Sequence, residues 1–126
     1  MGVMDRILKV SSLSPGSTLN TPSGRSIFEI EERTQCGIRV IVGKQKKWRI
    51  HISAECWEGI PNFLRGRGWV LIGAVHEGNP KPGSLDSYVQ RFTHGTSAAS
   101  YVAPILEKAG IVKIDRGRPN KVLLSK

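Results

Sequence analysis

The sequence predicts an α+β fold in which an N-terminal antiparallel β-meander packs on a C-terminal half of helices and a hairpin. Residues 17–53 contain four short apolar segments separated by turn residues, a pattern typical of antiparallel strands. Residues 54–126 instead carry apolar residues at helical spacing, followed by two strand-like segments around a basic tip. Four strands alone would be marginally stable, so we expect the meander to pack on the helices.

Length and composition narrow the class of protein. A chain of 126 residues suits one domain, or two very small ones that share a core. No run of about 18 apolar residues occurs, so the sequence predicts no transmembrane helix and no membrane partner. The segment Met1 to Val10 contains Asp5 and Arg6 and lacks the long apolar core of a secretory signal. A cytoplasmic location is therefore expected.

The first half divides into an arm and the meander. Residues 1–16 are predicted as a flexible N-terminal arm that ends at the turn signal Pro15-Gly16. In the last predicted strand Trp48, Ile50 and Ile52 share one face, so Trp48 is expected in the core. The meander subdomain, residues 17–53, has predicted strands at 18–21, 26–33, 38–42 and 48–53.

Two helices and a strand are predicted in the next part of the chain. Ser53 is a plausible N-cap for a short helix, which Gly59 and Pro61 should interrupt. Residues 69–75 form a strongly apolar segment, which predicts a strand buried on both faces. Ser84 then caps a helix. The apolar stripe of that helix consists of Leu85, Tyr88, Val89 and Phe92.

The last helix is predicted to begin at Thr96 and to end at Gly110. The Thr96 hydroxyl suits an N-cap, and glycine accepts the left-handed conformation at the C-terminal end. Because Pro104 removes an amide donor, either the helix is kinked there or its regular part begins near Ser100. The stripe that packs on the core comprises Val102, Ile105, Leu106 and Ala109.

The stretch from Thr93 to Leu124 resembles the second half of a winged helix-turn-helix domain, and within it the segment Leu106-Glu107-Lys108-Ala109-Gly110-Ile111-Val112 leads from the helix into the hairpin. In that family, a helix that begins with small polar residues lies in the DNA major groove, and a β-hairpin wing touches the backbone or minor groove. The resemblance implies a winged helix over residues 54–126, with the strand at 69–75 paired to the wing. It also implies binding of double-stranded DNA, as a regulator or a targeting module. Whether the protein forms a homodimer stays open.

The basic charge of the chain supports double-stranded DNA as the partner. The net charge is +9 and the isoelectric point is near 10.1, which favours attraction to a polyanion. Hydroxyls at the start of the last helix can donate to phosphate or base, and Ala98 can approach a thymine methyl. Wing arginines can reach phosphates or an A·T-rich minor groove. The predicted DNA-binding residues are Thr96, Ser97, Ala98, Ser100, Tyr101, Arg116, Arg118, Lys121, Lys44, Lys46, Lys47 and Arg49.

Two other functions stay open. The winged helix can serve as a protein-interaction surface in an assembly. Alternatively, the meander can bind RNA or single-stranded DNA, since Trp48 lies among basic residues and an aromatic ring can stack on bases. For duplex DNA, the absence of Arg, Asn and Gln at the start of the last helix predicts modest sequence specificity through this helix, or specificity supplied by another part of the chain.

The sequence gives little support for an enzyme. It contains no phosphate-binding loop, zinc-protease motif or nucleophile elbow. Glu29 and Glu31 share a strand face, but their spacing matches no nuclease motif. Cys36 and Cys56 are expected to be reduced thiols, and no metal or other cofactor is predicted.

Overall fold

The computed structural model describes residues 2–43, 48–73 and 79–125. Its helices are α1 (Val3–Leu8), α2 (Ala54–Leu64), α3 (Leu85–Val89) and α4 (Ala99–Lys108), with a 3₁₀ turn at Ser11–Leu13. Its strands are β1 (Thr18–Asn20), β2 (Ile27–Thr34), β3 (Gly37–Val42), β4 (Trp48–Ser53), β5 (Val70–Leu71), β6 (Val112–Asp115) and β7 (Lys121–Leu124). The predicted α+β class is confirmed. No helix that the structure describes combines the length and the apolar character needed to span a membrane.

The strands form two antiparallel sheets. The first has the order β1-β2-β3-β4, so the predicted meander is confirmed. The second has the order β5-β7-β6, in which β6 and β7 make the C-terminal hairpin and β5 pairs with β7. The predicted pairing of the apolar strand with this hairpin is thus confirmed over Val70–Leu71, whereas Ala74 and Val75 lie outside the described residues.

One hydrophobic core joins both halves of the chain. The inner face of the first sheet contributes Phe28, Ile30, Ile38, Val40 and Ile52, all of them buried. They belong to the same cluster as the apolar faces of the four helices and as Val122 of the second sheet. The first sheet is therefore not an independent unit. This agrees with the expectation that four short strands need to pack on the helices.

The N-terminal segment is part of this core, so the prediction of a flexible arm is wrong for the residues from α1 onward. Val3, Met4 and Ile7 of α1 are buried. The Glu58 carboxylate of α2 accepts from the Val3 and Met4 amides at 2.8 and 2.9 Å, which satisfies free donors at the start of α1. The Arg33 guanidinium donates to the Ile7 carbonyl at 2.7 Å. These contacts are between residues far apart in sequence, which local periodicity does not reveal.

Helix α2 is continuous through Gly59 and Pro61, so the predicted interruption of this helix is wrong. Its N-cap is Ser53 as predicted, since the Ser53 side chain accepts from the Cys56 amide. A Cβ at Gly59 would overlap the Tyr88 hydroxyl, which donates to the Cys56 carbonyl at 2.8 Å. The glycine therefore permits a close helix–helix contact rather than a break in the helix.

Two tryptophans expected inside the protein are at its surface. Trp48 is 69% exposed, because it pairs with Val42 at the last position of the β3–β4 ladder, whereas Ile52 beside α2 is fully buried. Trp69 is 48% exposed because it precedes β5, an edge strand. The predictions of a core position for Trp48 and of burial on both faces at Trp69 are wrong.

We predict that Ile7→Ala lowers the free energy of unfolding by about 2–5 kcal/mol, because it opens a cavity in a well-packed core. Urea denaturation followed by circular dichroism measures the loss. Ser12→Ala, an exposed change in the adjacent 3₁₀ turn, is the control and should stay within about 0.5 kcal/mol of the parent. Equal stability of Ile7→Ala and the parent would mean that the N-terminal segment does not contribute to the core.

Candidate nucleic-acid interface

A buried carboxylate fixes the start of α4. Asp86, in the first turn of α3, has no exposed surface. Its Oδ1 accepts from the Ala99 amide at 3.3 Å, and its Oδ2 accepts from the Ser97 hydroxyl at 3.0 Å and the Gln90 amide group at 2.8 Å. A negative charge at a helix N-terminus is favourable, because it faces the positive end of the helix dipole. Asp86 therefore couples the two helices.

Thr96 is not the N-cap of α4, so that prediction is wrong. The Thr93 hydroxyl donates to the Thr96 carbonyl at 2.6 Å, and the Thr96 amide donates to the Thr93 carbonyl at 3.0 Å. Thr96 is thereby held in the turn between α3 and α4, with its side chain exposed. The N-cap position is Ala98, which has no capping side chain. The carboxylate of Asp86 takes over that role from the neighbouring helix.

Most of α4 is buried. Residues 102–106 are all inaccessible, because α1, the 3₁₀ turn and β1 cover one side of the helix and β6 covers another. Pro104 lies inside a helix that begins at Ala99, which agrees with the predicted late start of its regular part. Ala98 has no exposed surface, so the predicted contact between this residue and a base is wrong.

The start of α4, which is half-buried at Ser100 and Tyr101, borders a cavity of about 370 Å³, here called the junction cavity. It lies where three parts of the chain meet: the turn between β1 and β2, the start of α4 and the end of the C-terminal hairpin. Its wall combines hydroxyl, amide and cationic side chains with the apolar side chains of Leu71 and Ile72. Residues lining it include Thr21, Ser23, Arg25, Ser26, Lys81, Ser97, Ser100, Tyr101, Pro119 and Asn120.

Tyr101 connects the junction cavity to the meander. Its ring packs edge-on against Phe28 of β2, with centroids 5.2 Å apart. Partial burial raises the pKa of the Tyr101 hydroxyl. The side chain is thus a packed wall of the cavity rather than a freely projecting one, and it stays protonated at neutral pH.

Two cations line the junction cavity, and a third is next in sequence to one of its lining residues. Arg25 and Lys81 line it, and Arg118 precedes Pro119, which also lines it. All three side chains are exposed, and within the described part of the chain none forms an ion pair with a carboxylate. Cations that no carboxylate neutralises produce a positive potential over the cavity, which attracts an anionic ligand.

The two predicted wing arginines differ in their environment. The Arg116 guanidinium donates to both carboxylate oxygens of Glu107, at 2.8 and 2.7 Å. This pairing lowers the pKa of Glu107 and directs Arg116 back toward α4. Arg118, two residues further along the tip, has no such partner among the described residues. Lys121, also predicted to bind DNA, is half-buried at the first position of β7.

Of the basic residues predicted to bind DNA around the start of β4, the structure describes only Arg49. Lys44, Lys46 and Lys47 lie outside the described residues. Arg49 donates from its Nε to Glu31 at 2.8 Å, and Arg39 donates to the same carboxylate. The Arg49 and Arg39 hydrogen bonds lower the pKa of Glu31. An exposed cation paired in this way has a smaller net field than a free one.

Sequence analysis missed Asp86, Arg25 and Lys81. Asp86 was visible only as an acidic residue in the first turn of a helix, and its reach to α4 depends on how the two helices pack. Arg25 and Lys81 are single basic residues in separate turns, without a neighbouring cation. The three-dimensional fold alone brings them to one cavity.

Reactive groups are scarce in the described residues. Among residues 2–43, 48–73 and 79–125, no three His, Cys, Asp or Glu side chains are grouped as metal ligands. Both cysteines are free. Burial raises the pKa of Cys56 to about 12, so its thiol stays protonated and unreactive at neutral pH.

No protein-family model matches this chain, and neither does any curated protein or solved structure.

We predict that Asp86→Ala lowers the free energy of unfolding by about 3 kcal/mol, because it leaves buried donors at the start of α4 without an acceptor. The matched control is Asp115→Ala, since the Asp115 carboxylate also accepts a backbone amide, that of Gly117, but in the exposed hairpin. Urea denaturation should show a cost below about 1 kcal/mol for the control. Equal costs for the two variants would contradict a coupling role for Asp86.

Proposed function

We propose that this protein binds double-stranded DNA through the surface around the junction cavity. The observation that carries the proposal is the grouping of Arg25, Lys81 and Arg118, three exposed cations from separate parts of the chain without a carboxylate partner among the described residues. A surface that neutralises several phosphates gains affinity by releasing the counterions around DNA. The overall charge of +9 acts in the same direction.

We further propose that the C-terminal half, from α2 onward, is a winged helix. The supporting observations are the order α2, β5, α3, α4, β6, β7 and the sheet order β5-β7-β6. In this interpretation α3 and α4 are the helix-turn-helix, and the β6–β7 hairpin is the wing. Arg118 at the wing tip would contact phosphates or enter a minor groove.

The proposed mode of contact differs from insertion of the whole last helix into the major groove. Residues 102–106 of α4 are covered by α1, the 3₁₀ turn, β1 and β6, so the part of this region that faces the junction cavity is the turn before α4 together with the first residues of the helix. There Thr96 is exposed and Ser100 is half-buried, and both hydroxyls can donate to phosphate. Phosphate contacts would supply most of the affinity, and we expect low sequence specificity.

The main alternative is a protein-interaction module in an assembly. The burial of α4 argues against this helix as the contact surface of such a module, because α1 and β1 of the same chain already pack on it. We therefore rank DNA binding first, without catalysis, with a regulator or a targeting module as the role. A homodimer on DNA stays compatible with this proposal.

The proposal predicts salt-dependent binding to a mixed-sequence duplex of about 20 base pairs, measured by fluorescence anisotropy. The plot of log affinity against log salt should have a slope of about −4 to −6. In the triple variant Arg25→Ala/Lys81→Ala/Arg118→Ala the slope should become shallower by about 2 to 3, since each lost phosphate contact removes about 0.9.

The matched control removes the same charge elsewhere, in Arg6→Ala/Arg65→Ala/Lys108→Ala. All three residues are exposed, and none of them lines the junction cavity or lies in the proposed wing. The control should keep most of the parent slope. No duplex binding at low salt would contradict the proposal and favour the protein-interaction module. An equal change of the salt slope in both triple variants would mean that the overall charge, and not a defined surface, attracts the DNA.

A further inference from the structure

A second cavity of about 570 Å³ adjoins the junction cavity. Here called the Trp48 cavity, it lies between the end of the first sheet and the first turn of α4. Its volume falls within the range of about 300–1,000 Å³ typical of sites for small ligands. Arg25, Ser26 and Tyr101 line both cavities, so a ligand at one is next to the other.

The walls of the Trp48 cavity expose large apolar groups. The Trp48 side chain is 69% exposed and that of Ile27 is 64% exposed, and both line the cavity together with Phe28 and Tyr101. A Cβ at Gly43 would lie 3.3 Å from Cδ1 of Trp48, so the indole rests directly against that glycine. Because Trp48 is largely exposed, aromatic surface of its indole is available to a flat ligand.

Charge at this cavity favours an uncharged ring inside and an anion at the edge. Among the described residues that line this cavity only Arg25 is cationic, and the rest of the wall is mostly apolar or hydroxyl-bearing, so a phosphate is expected at Arg25 rather than deeper inside. Arg25, on the wall shared with the junction cavity, is exposed and has no ion pair with a described carboxylate. A nucleotide has the matching distribution, because its base is neutral and aromatic and its phosphate is anionic.

We propose that the Trp48 cavity receives one unpaired base of a bound nucleic acid, stacked on the indole of Trp48, with the adjoining phosphate at Arg25. The inference rests on the proposed function, since it places the unpaired base beside the duplex at the junction cavity. Stacking accepts any base, because every base has an aromatic face. The preferred ligand is thus a duplex with a bulged, mismatched or terminal unpaired nucleotide, of any sequence.

Three labelled ligands test the inference by anisotropy: a fully paired duplex, the same duplex with one bulged nucleotide, and the same duplex with an abasic bulge. The abasic bulge has the same backbone charge and lacks only the base. We expect the bulged duplex to bind about fivefold or more tightly than the abasic one, as one base–aromatic stack implies. DNA and RNA versions show which strand type the cavity prefers.

Substitutions at Trp48 test whether the preference for the bulged base depends on this side chain. Trp48→Phe should keep most of the preference for the base, and Trp48→Leu should abolish it, since leucine is apolar but has no aromatic face. Trp69→Leu is the matched control, because Trp69 is also partly exposed and does not line this cavity. Circular dichroism spectra verify that the variants are folded, which the exposure of Trp48 leads us to expect.

The outcomes separate this inference from the proposed function. Equal binding of the bulged and abasic duplexes by the parent would overturn the base site while leaving duplex binding intact. A preference for the base that depends on Trp48, without binding of the paired duplex, would support the base site and sink the proposed function. Failure of all three ligands to bind at low salt would overturn both.

Discussion

The fold depends on the burial of helix α4 between the two halves of the chain. Residues 102–106 are inaccessible along more than a full turn, which requires neighbours on nearly every side of the helix. The C-terminal half supplies neighbours through α3 and β6, and the N-terminal residues supply others through α1, the 3₁₀ turn and β1. Each fully buried aliphatic side chain contributes about 1.5–3 kcal/mol, so this contact holds the halves together.

The same burial decides which surfaces are available for function. A helix enclosed by its own chain cannot present its length to a DNA groove, and α4 reaches the surface only at its first turn and at its last residues. The meander that covers α4 also places the β1–β2 turn, with Arg25, beside that first turn and the C-terminal hairpin. The meander is thus both part of the core and one wall of the junction cavity and the Trp48 cavity.

Local signals in the sequence predicted much of the fold. Alternation gave the four strands of the meander, Ser53 and Ser84 gave two helix starts, and Gly110 follows α4 with a left-handed φ of 75°. Each of these features depends on residues within one turn or one strand. Of the predicted site residues, Ser97, Ser100 and Tyr101 do line the junction cavity.

The failures concern contacts between distant residues. The burial of Met4 and Ile7 depends on neighbours in α2 and the meander, which a short apolar segment does not reveal. The start of α4 depends on Asp86, which is thirteen positions before Ala99 in the sequence. The residues next to the helix start favoured Thr96 as the N-cap instead. Arg25 and Lys81 were missed because isolated cations in turns have no periodicity to mark them.

Amide hydrogen exchange with and without duplex DNA tests the account most directly, because it reports which segments the DNA covers and whether the chain opens. We expect DNA to slow exchange in residues 21–26, 97–101 and 118–121, with α1 and β1 unchanged. The contradicting result would be new protection along residues 102–108 together with faster exchange in α1 and β1. That pattern would mean that the N-terminal half leaves α4 and that the whole helix enters the groove.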